Sequence, residues 1–238
     1  MQDQIEMLSK HIDFLKSLDT EEFYNKDVDE VRRYAQNILQ ECIQLGGHAT
    51  YKLIDLLQTE FTWSCFFALT IFRETKDPQA VSAIITFLKQ ESDDSLANEE
   101  AMFALQDIGN PSITPLIEEV EEAFDNKKYN SYLVGALTGI IGPVPYDFMI
   151  KITKDFLEKP WRYKGWFQIE DFTYNFVKQE RLDAIPLLKQ ILDMNLTTGT
   201  KKREIEDTIS ALEDPENYEK EIQKTAREVS EAAQKIDL

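Results

Sequence analysis

Apolar residues recur every three or four positions along most of the chain, which is the spacing of one face of an amphipathic helix. Segments with this spacing cover residues ~3–18, ~28–45 and ~61–74. The second segment stops at Gly46-Gly47, a pair suited to the positive φ that closes many helices. No strand-like alternation competes with these segments. The spacing therefore predicts an all-α protein.

The helical segments also repeat along the chain. Three predicted second helices align without gaps at offsets of 31 and 32 residues, namely ATYKLIDLL (49–57), AVSAIITFL (80–88) and SITPLIEEV (112–120). A fixed period of about 32 residues with two helices per unit is typical of a helical solenoid. In such a fold each pair is too small to bury its own apolar faces, so neighbouring pairs stack. Roughly six pairs fit the 238 residues.

Short motifs mark the corners between the predicted helices of a pair. Asp77-Pro78 suits an N-cap residue followed by proline in the first helical turn, and we interpret Asn110-Pro111 as a helix cap as well. An Ala-Leu pair lies one or two turns before each of three corners. These pairs are Ala68-Leu69, Ala104-Leu105 and Ala136-Leu137.

We expect a single domain, residues 1–238, with a capping helix at each end of the stack. Residues 1–27 would form the N-terminal cap, 28–215 the repeats and 216–238 the C-terminal cap. The last helix, ~216–236, has one apolar stripe and charges around the rest, as expected of a helix covered on one face. The stripe consists of Ile222, Ala226, Val229, Ala233 and Ile236.

The stretch AMFALQDIGNPSITPLIEEV, residues 101–120, resembles the HEAT-like repeat of the phycobilisome-lyase type. It has the same order of Ala-Leu, Ile-Gly, an acid or amide, Pro, and Ile-x-x-Leu-Ile. The resemblance covers residues 30–215, with diverged units at 49–57 and 143–157. It implies a right-handed α-α superhelix whose relatives mostly bind other proteins. A few relatives handle bilin chromophores or damaged DNA bases.

The composition restricts the classes of partner. With 26 basic and 44 acidic side chains the net charge is −18, which repels phosphate backbones and anionic membrane surfaces. Nucleic acid is therefore disfavoured as a partner. The N-terminus lacks the basic start and apolar run of a signal peptide, and no apolar run approaches the ~20 residues of a membrane span. We expect a soluble, cytoplasmic protein.

Residues that carry catalysis or bind metal are scarce. The two histidines, His11 and His48, and the two cysteines, Cys42 and Cys65, show no zinc-binding spacing, and no glycine-rich phosphate loop is present. Both cysteines lie in apolar helical segments, which favours buried, reduced thiols. We predict no catalytic residue, no cofactor and no metal site.

Two further segments are interpreted as packing features. Gly135 and Gly139 have a small-xxx-small spacing, which predicts close contact with a neighbouring helix. Trp63, Phe66 and Phe67 have helical spacing inside a repeat and are expected in the core.

The repeat is interrupted by residues 158–170, EKPWRYKGWFQIE. Aromatic and basic side chains are concentrated here, in a chain with only three tryptophans. Such residues are enriched at binding hot spots, so this insert is a candidate binding patch. Alternatively, the tryptophans seal a groove between the fourth and fifth pairs, with the arginine stacked or ion-paired. The candidate residues are Trp161, Arg162, Tyr163, Lys164 and Trp166.

A second candidate surface lies on the helix that contains IEEVEEAFD. The resemblance implies that second helices line the concave side of the stack. Glu118, Glu119 and Glu122 would then make that side locally negative and suited to a basic partner. The alternative is a solvated helix face.

The leading hypothesis is a non-catalytic, protein-binding scaffold or adaptor, and an inhibitor or immunity-type protein fits the same features. The resemblance keeps two alternatives open. In a chromophore-handling protein or enzyme subunit, the aromatic insert would stack a flat ligand, with Arg162 or Lys164 holding a carboxylate. A DNA-repair solenoid needs a basic concave face, which a net charge of −18 disfavours.

Overall fold

A computed structural model describes residues 2–57, 62–90, 96–218, 220 and 223. These residues form fifteen α-helices and three short 3-10 helices, and no β-strand occurs among them. The prediction of an all-α protein is confirmed. No helix in the described ranges is long and apolar enough to cross a membrane.

The chain divides into two compact units, residues 1–140 and 141–238. The single domain stays a prediction. The first unit contains α1 (Gln2–Ser17), α2 (Glu21–Tyr24), α3 (Val28–Leu45), α4 (Gly47–Leu53), α5 (Trp63–Thr75), α6 (Val81–Gln90), α7 (Leu96–Ile108), α8 (Asn110–Asp125) and α9 (Ser131–Gly139). The second contains α10 (Pro143–Glu158), α11 (Pro160–Tyr163), α12 (Ile169–Tyr174), α13 (Phe176–Gln179), α14 (Ile185–Asp193) and α15 (Thr200–Glu213). The 3-10 helices are Ile54–Leu56, Pro78–Ala80 and Leu182–Ala184.

In the first unit, helices at corresponding positions of the predicted repeat pack on one another. α5 contacts α7, α7 contacts α9, and α6 contacts α8. The three Ala-Leu pairs of α5, α7 and α9 are fully buried, because the small alanine lets the next helix approach and the leucine fills the space between helices. Trp63, Phe66 and Phe67 of α5 are also buried, which confirms their place in the core.

Local capping fixes the turns between the helices of each pair, and one of the predicted caps is corrected. Gly46 has φ 54° after the end of α3, as predicted. Asp77 caps its helix by accepting a hydrogen bond from the Gln79 backbone amide at 2.9 Å, and Pro78 occupies the first turn. At the next corner the capping position is Gly109, with φ 75°, and Asn110 is already helical. The prediction of a cap at Asn110 was wrong because the positive φ of glycine turns the chain one residue earlier.

The two glycines of α9 lie against α7. A Cβ atom at Gly135 would come within 2.7 Å of Met102 Sδ, and one at Gly139 within 2.2 Å of Gln106 Nε2. The Gln106 carboxamide also donates to the Gly135 carbonyl oxygen at 2.9 Å. The predicted close packing is confirmed, since the glycines leave the space that the α7 side chains occupy.

In the second unit, α15 packs on α12, α13 and α14, while α10 packs on α11, α12 and α14. Phe172 and Phe176 are fully buried in its core. The apolar stripe predicted for the last helix lies outside the described residues, as does most of the segment 216–238. The segment predicted as a single N-terminal capping helix, residues 1–27, contains two helices, α1 and α2, and its capping role stays a prediction.

Candidate functional site

The aromatic insert begins where α10 breaks and a one-turn helix, α11, follows. Lys159, between them, has φ −135° and ψ 55°, and Pro160 occupies the first turn of α11. Proline is suited to this position because its missing amide would have no helical acceptor there. The next side chain, Trp161, is 72% exposed. The break in α10 therefore places a large apolar side chain at the surface.

Asp155 of α10 holds α11 in place. Its carboxylate accepts hydrogen bonds from Lys159 Nζ at 2.7 Å, Arg162 Nη1 at 3.2 Å and Tyr163 OH at 2.6 Å. The bonds from Lys159 and then Tyr163 lower the pKa of Asp155. Burial, followed by the bond to this carboxylate, raises the pKa of Tyr163. Both pKa shifts favour an ionised Asp155 carboxylate that accepts a hydrogen bond from a neutral Tyr163 hydroxyl.

The remaining rings of the insert pack on one another and on α10. Tyr163 stacks on Trp166 with ring centres 5.4 Å apart, and it contacts Phe167 at 5.0 Å and Phe156 of α10 at 5.7 Å. Trp166 Nε1 donates to the Arg162 carbonyl oxygen at 2.8 Å. Tyr163 is buried, and Trp166 and Phe167 are half-buried. The insert thus has a packed base and one outward tryptophan.

The structure brings the five candidate residues of the insert together but gives them different environments. Arg162 is ion-paired with Asp155, as one of the two sequence interpretations expected. Trp161 and Lys164 are exposed, as the other expected. Sequence reasoning missed Asp155, which organises the group. The i,i+4 spacing of Asp155 and Lys159 was the available signal.

The positive charge around the insert extends back along α10. Residues 151–166, which we call the Trp161 island, contain five basic and two acidic side chains, a net charge of +3. By contrast, residues 1–140 contain 25 acidic and 11 basic side chains, a net charge of −14. Residues 141–238 contain 19 acidic and 15 basic side chains, a net charge of −4. The island is therefore a local exception to the acidity of the chain.

The second candidate surface, on α8, is partly neutralised. Lys89 Nζ of α6 lies 2.5 Å from Glu119 Oε2 and 3.9 Å from Glu122 Oε2, and the bond to Glu119 raises the pKa of Lys89. Glu118 is exposed. The three acids lie on one helix as predicted, but sequence reasoning missed Lys89, which is 30 residues from Glu119. Glu119 and Glu122, but not Glu118, line a shallow pocket of about 180 Å³ together with Lys89 and Asn130.

The histidines and cysteines are dispersed. His11 is buried with Nε2 2.8 Å from Glu41 Oε2, and His48 is exposed. Both cysteines are buried thiols, and burial, followed by the charge of Glu41, raises the pKa of Cys42 to about 11. No group of three or more His, Cys, Asp or Glu residues in the described part of the chain is placed to hold a metal ion.

Comparison with protein-family models, curated proteins and solved structures finds no match to this chain. The two surfaces that can carry a function are the Trp161 island and the acidic face of α8.

Proposed function

We propose that this chain is a cytoplasmic, non-catalytic scaffold that binds other proteins, built as a HEAT-like right-handed α-α superhelix. Support for the architecture comes from the first unit, where α5, α7 and α9 pack in chain order and α6 packs on α8. A repeat of helix pairs buries its apolar faces in this way. In such a repeat, each further helix pair packs on the previous pair in the same way and lengthens the exposed surface. These folds therefore offer long surfaces to partners.

The observation that carries the proposal is the exposure of Trp161. A side chain of this size that is 72% exposed leaves a large apolar area in water. A partner that covers about 100 Å² of that area contributes roughly 2.5 kcal/mol to association at ~25 cal/mol per Å². Tryptophan and arginine are the residues most enriched at hot spots of protein interfaces.

The packed rings and ion pairs of the insert next to Trp161 also favour binding. The bonds from Arg162 and Tyr163 to Asp155 hold α11 before any partner arrives. A surface that is already ordered loses less conformational entropy on association. An exposed tryptophan on a mobile loop would lack this advantage.

The acidic face of α8 is a second docking surface in this proposal, suited to a basic partner. Glu118 is exposed, and Glu122 keeps 66% of its side chain exposed despite Lys89. Exposed charges of this kind mainly raise the association rate, and added salt weakens their effect.

The chromophore-handling and DNA-repair alternatives stay predictions. For the first, the rings of Tyr163, Trp166 and Phe167 contact one another, so a flat ligand would meet the exposed indole of Trp161 rather than a slot between rings. Arg162, its suggested carboxylate ligand, lies 3.2 Å from Asp155. For the second, the net charge of −18 opposes DNA.

The test is quantitative affinity capture from the native cell lysate with the full chain. We compare the wild type with Trp161→Ala and with Leu182→Ala, a control in the same unit whose side chain is 62% exposed. Far-UV circular dichroism verifies that both variants fold. We expect Trp161→Ala to lose specific partners at least tenfold and Leu182→Ala to retain them. An unchanged set of bound proteins with Trp161→Ala would refute the proposed role of this surface.

A further inference from the structure

We propose that the Trp161 island docks a short acidic segment of a partner protein, with an apolar residue of that segment packed on the Trp161 indole. This inference rests on the proposed function and specifies the chemistry of the partner at this surface. Three features carry it: the geometry of the island, the sign of its charge, and the acidity of the surrounding chain.

The geometry places the basic side chains of α10 on the side that carries α11. On a helix with 3.6 residues per turn, positions 151, 154, 155 and 158 fall within about 100° of arc. Asp155 defines the direction of that side, because its carboxylate bonds to Arg162 and Tyr163 at the end of α11. Lys151 and Lys154 are exposed on the same side. Trp161 is exposed on α11 directly before Arg162, whose guanidinium bonds to Asp155, so the indole lies close to this side of α10.

The sign of the charge on this surface selects an acidic ligand. Asp155 offsets part of the charge of Lys159 and Arg162, and Glu158 is a further acid on the same side of α10. Asp147, exposed one turn before Lys151, lies on this side of α10 as well, so the balance is +3 over residues 151–166 and +2 over residues 147–166. A segment with about three carboxylates beside an apolar residue complements both the charge and the exposed indole.

The acidity of the surrounding chain limits the size of the anion. The α10 part of the island, from Lys151 to Glu158, is about 10 Å long. Three or four extended residues of a bound peptide span that distance. A nucleic acid or an anionic bilayer extends well beyond that length and meets a unit with a net charge of −4. A short peptide segment can remain on the island. The observations therefore favour protein over nucleic acid or membrane.

The experiment selects ligands from a random peptide library displayed on phage, with the full chain as the target at low ionic strength. Enriched peptides are synthesised, and their dissociation constants are measured from the change in tryptophan fluorescence and by calorimetry. We expect them to carry several Asp or Glu residues next to a Leu, Phe or Trp.

Three variants test the site, and circular dichroism verifies that each folds. Trp161→Ala removes the apolar contact. The triple variant Lys151→Glu, Lys154→Glu and Lys164→Glu reverses the charge of the island. A control triple variant makes the same change in net charge at exposed lysines of the first unit, namely Lys76→Glu, Lys127→Glu and Lys128→Glu. We expect the first two variants to weaken peptide binding at least tenfold and the control to alter it by less than twofold.

Each other outcome overturns the inference in a distinct way. Enriched peptides that depend on Trp161 but are neutral or basic would refute an acidic partner and leave the scaffold proposal intact. An equal effect of both triple variants would show that total charge, rather than the island, matters. Binding of phosphatidylserine vesicles or single-stranded DNA that requires Trp161 would assign the island to a membrane or a nucleic acid. If no enriched peptide depends on Trp161, the inference fails, while lysate capture decides the proposed function separately.

Discussion

Replacing Asp155 by alanine should destabilise the second unit and release α11 from α10. The carboxylate is the common acceptor for Lys159, Arg162 and Tyr163. Removing it leaves the Tyr163 hydroxyl without this acceptor in a site where the tyrosine is only 4% exposed. A buried polar group that loses its partner has also lost its contact with water, so the change is unfavourable.

The magnitude follows from the burial of each partner. A hydrogen bond from a buried hydroxyl to an ionised carboxylate is worth about 1.5–3 kcal/mol. The Lys159 and Arg162 side chains are 47% and 46% exposed, so water screens their ion pairs and each contributes at most about 1 kcal/mol. We therefore expect Asp155→Ala to lower the free energy of unfolding of the second unit by about 2–3 kcal/mol.

The assay is urea unfolding followed by tryptophan fluorescence in a Trp63→Phe background, where both remaining indoles, Trp161 and Trp166, lie in the second unit. A double-mutant cycle with Tyr163→Phe, which deletes only the hydroxyl, isolates the bond to Asp155. We expect a coupling free energy of about 1.5–3 kcal/mol, the value of that bond. Glu158→Ala, an exposed acid on the same helix, serves as the control and should stay within about 0.5 kcal/mol of its parent.

Two results would refute this reasoning. A loss of less than about 0.5 kcal/mol for Asp155→Ala would show that water replaces the carboxylate at no cost. A coupling free energy near zero between Asp155 and Tyr163 would show that their 2.6 Å contact does not stabilise the fold.

Two further predictions concern the pH dependence of this site and the contact between α7 and α9. The pKa of Asp155 is lowered on folding, so its stabilisation is complete above its ordinary value of 3.8 and is lost as the pH falls through the lower folded value. The difference in unfolding free energy between wild type and Asp155→Asn should therefore be constant near pH 7 and shrink below about pH 4 in urea titrations. In the first unit, Gly139→Ala should cost about 1 kcal/mol because the new Cβ displaces the Gln106 carboxamide, and Gly139→Ala with Gln106→Ala should recover most of that loss. If the double variant loses as much unfolding free energy as Gly139→Ala alone, the strain does not come from the contact with Gln106.

Several features could be predicted from the sequence because they depend on residues close together in the chain. The 3.6-residue apolar period makes a helix wherever it occurs, and glycine or Asp-Pro at a corner ends or starts a helix through backbone preferences. Gly46 and Asp77 behave as predicted for this reason. Asn110 does not, because the neighbouring Gly109 adopts positive φ more readily than asparagine and takes the capping position.

What only the tertiary structure decided is which side chains of the insert face outward. Trp161 and Trp166 lie five residues apart in the same aromatic and basic segment, and composition does not distinguish them. The packing of Tyr163 against α10 distinguishes the two tryptophans. Asp155 holds Tyr163 at the end of α11, and Trp166 stacks on the Tyr163 ring, whereas Trp161 is left exposed. The pairing of Lys89 with Glu119 is similarly decided by helix packing. The local sequence determined helices and corners, whereas contacts between helices determined the chemistry that the surface offers.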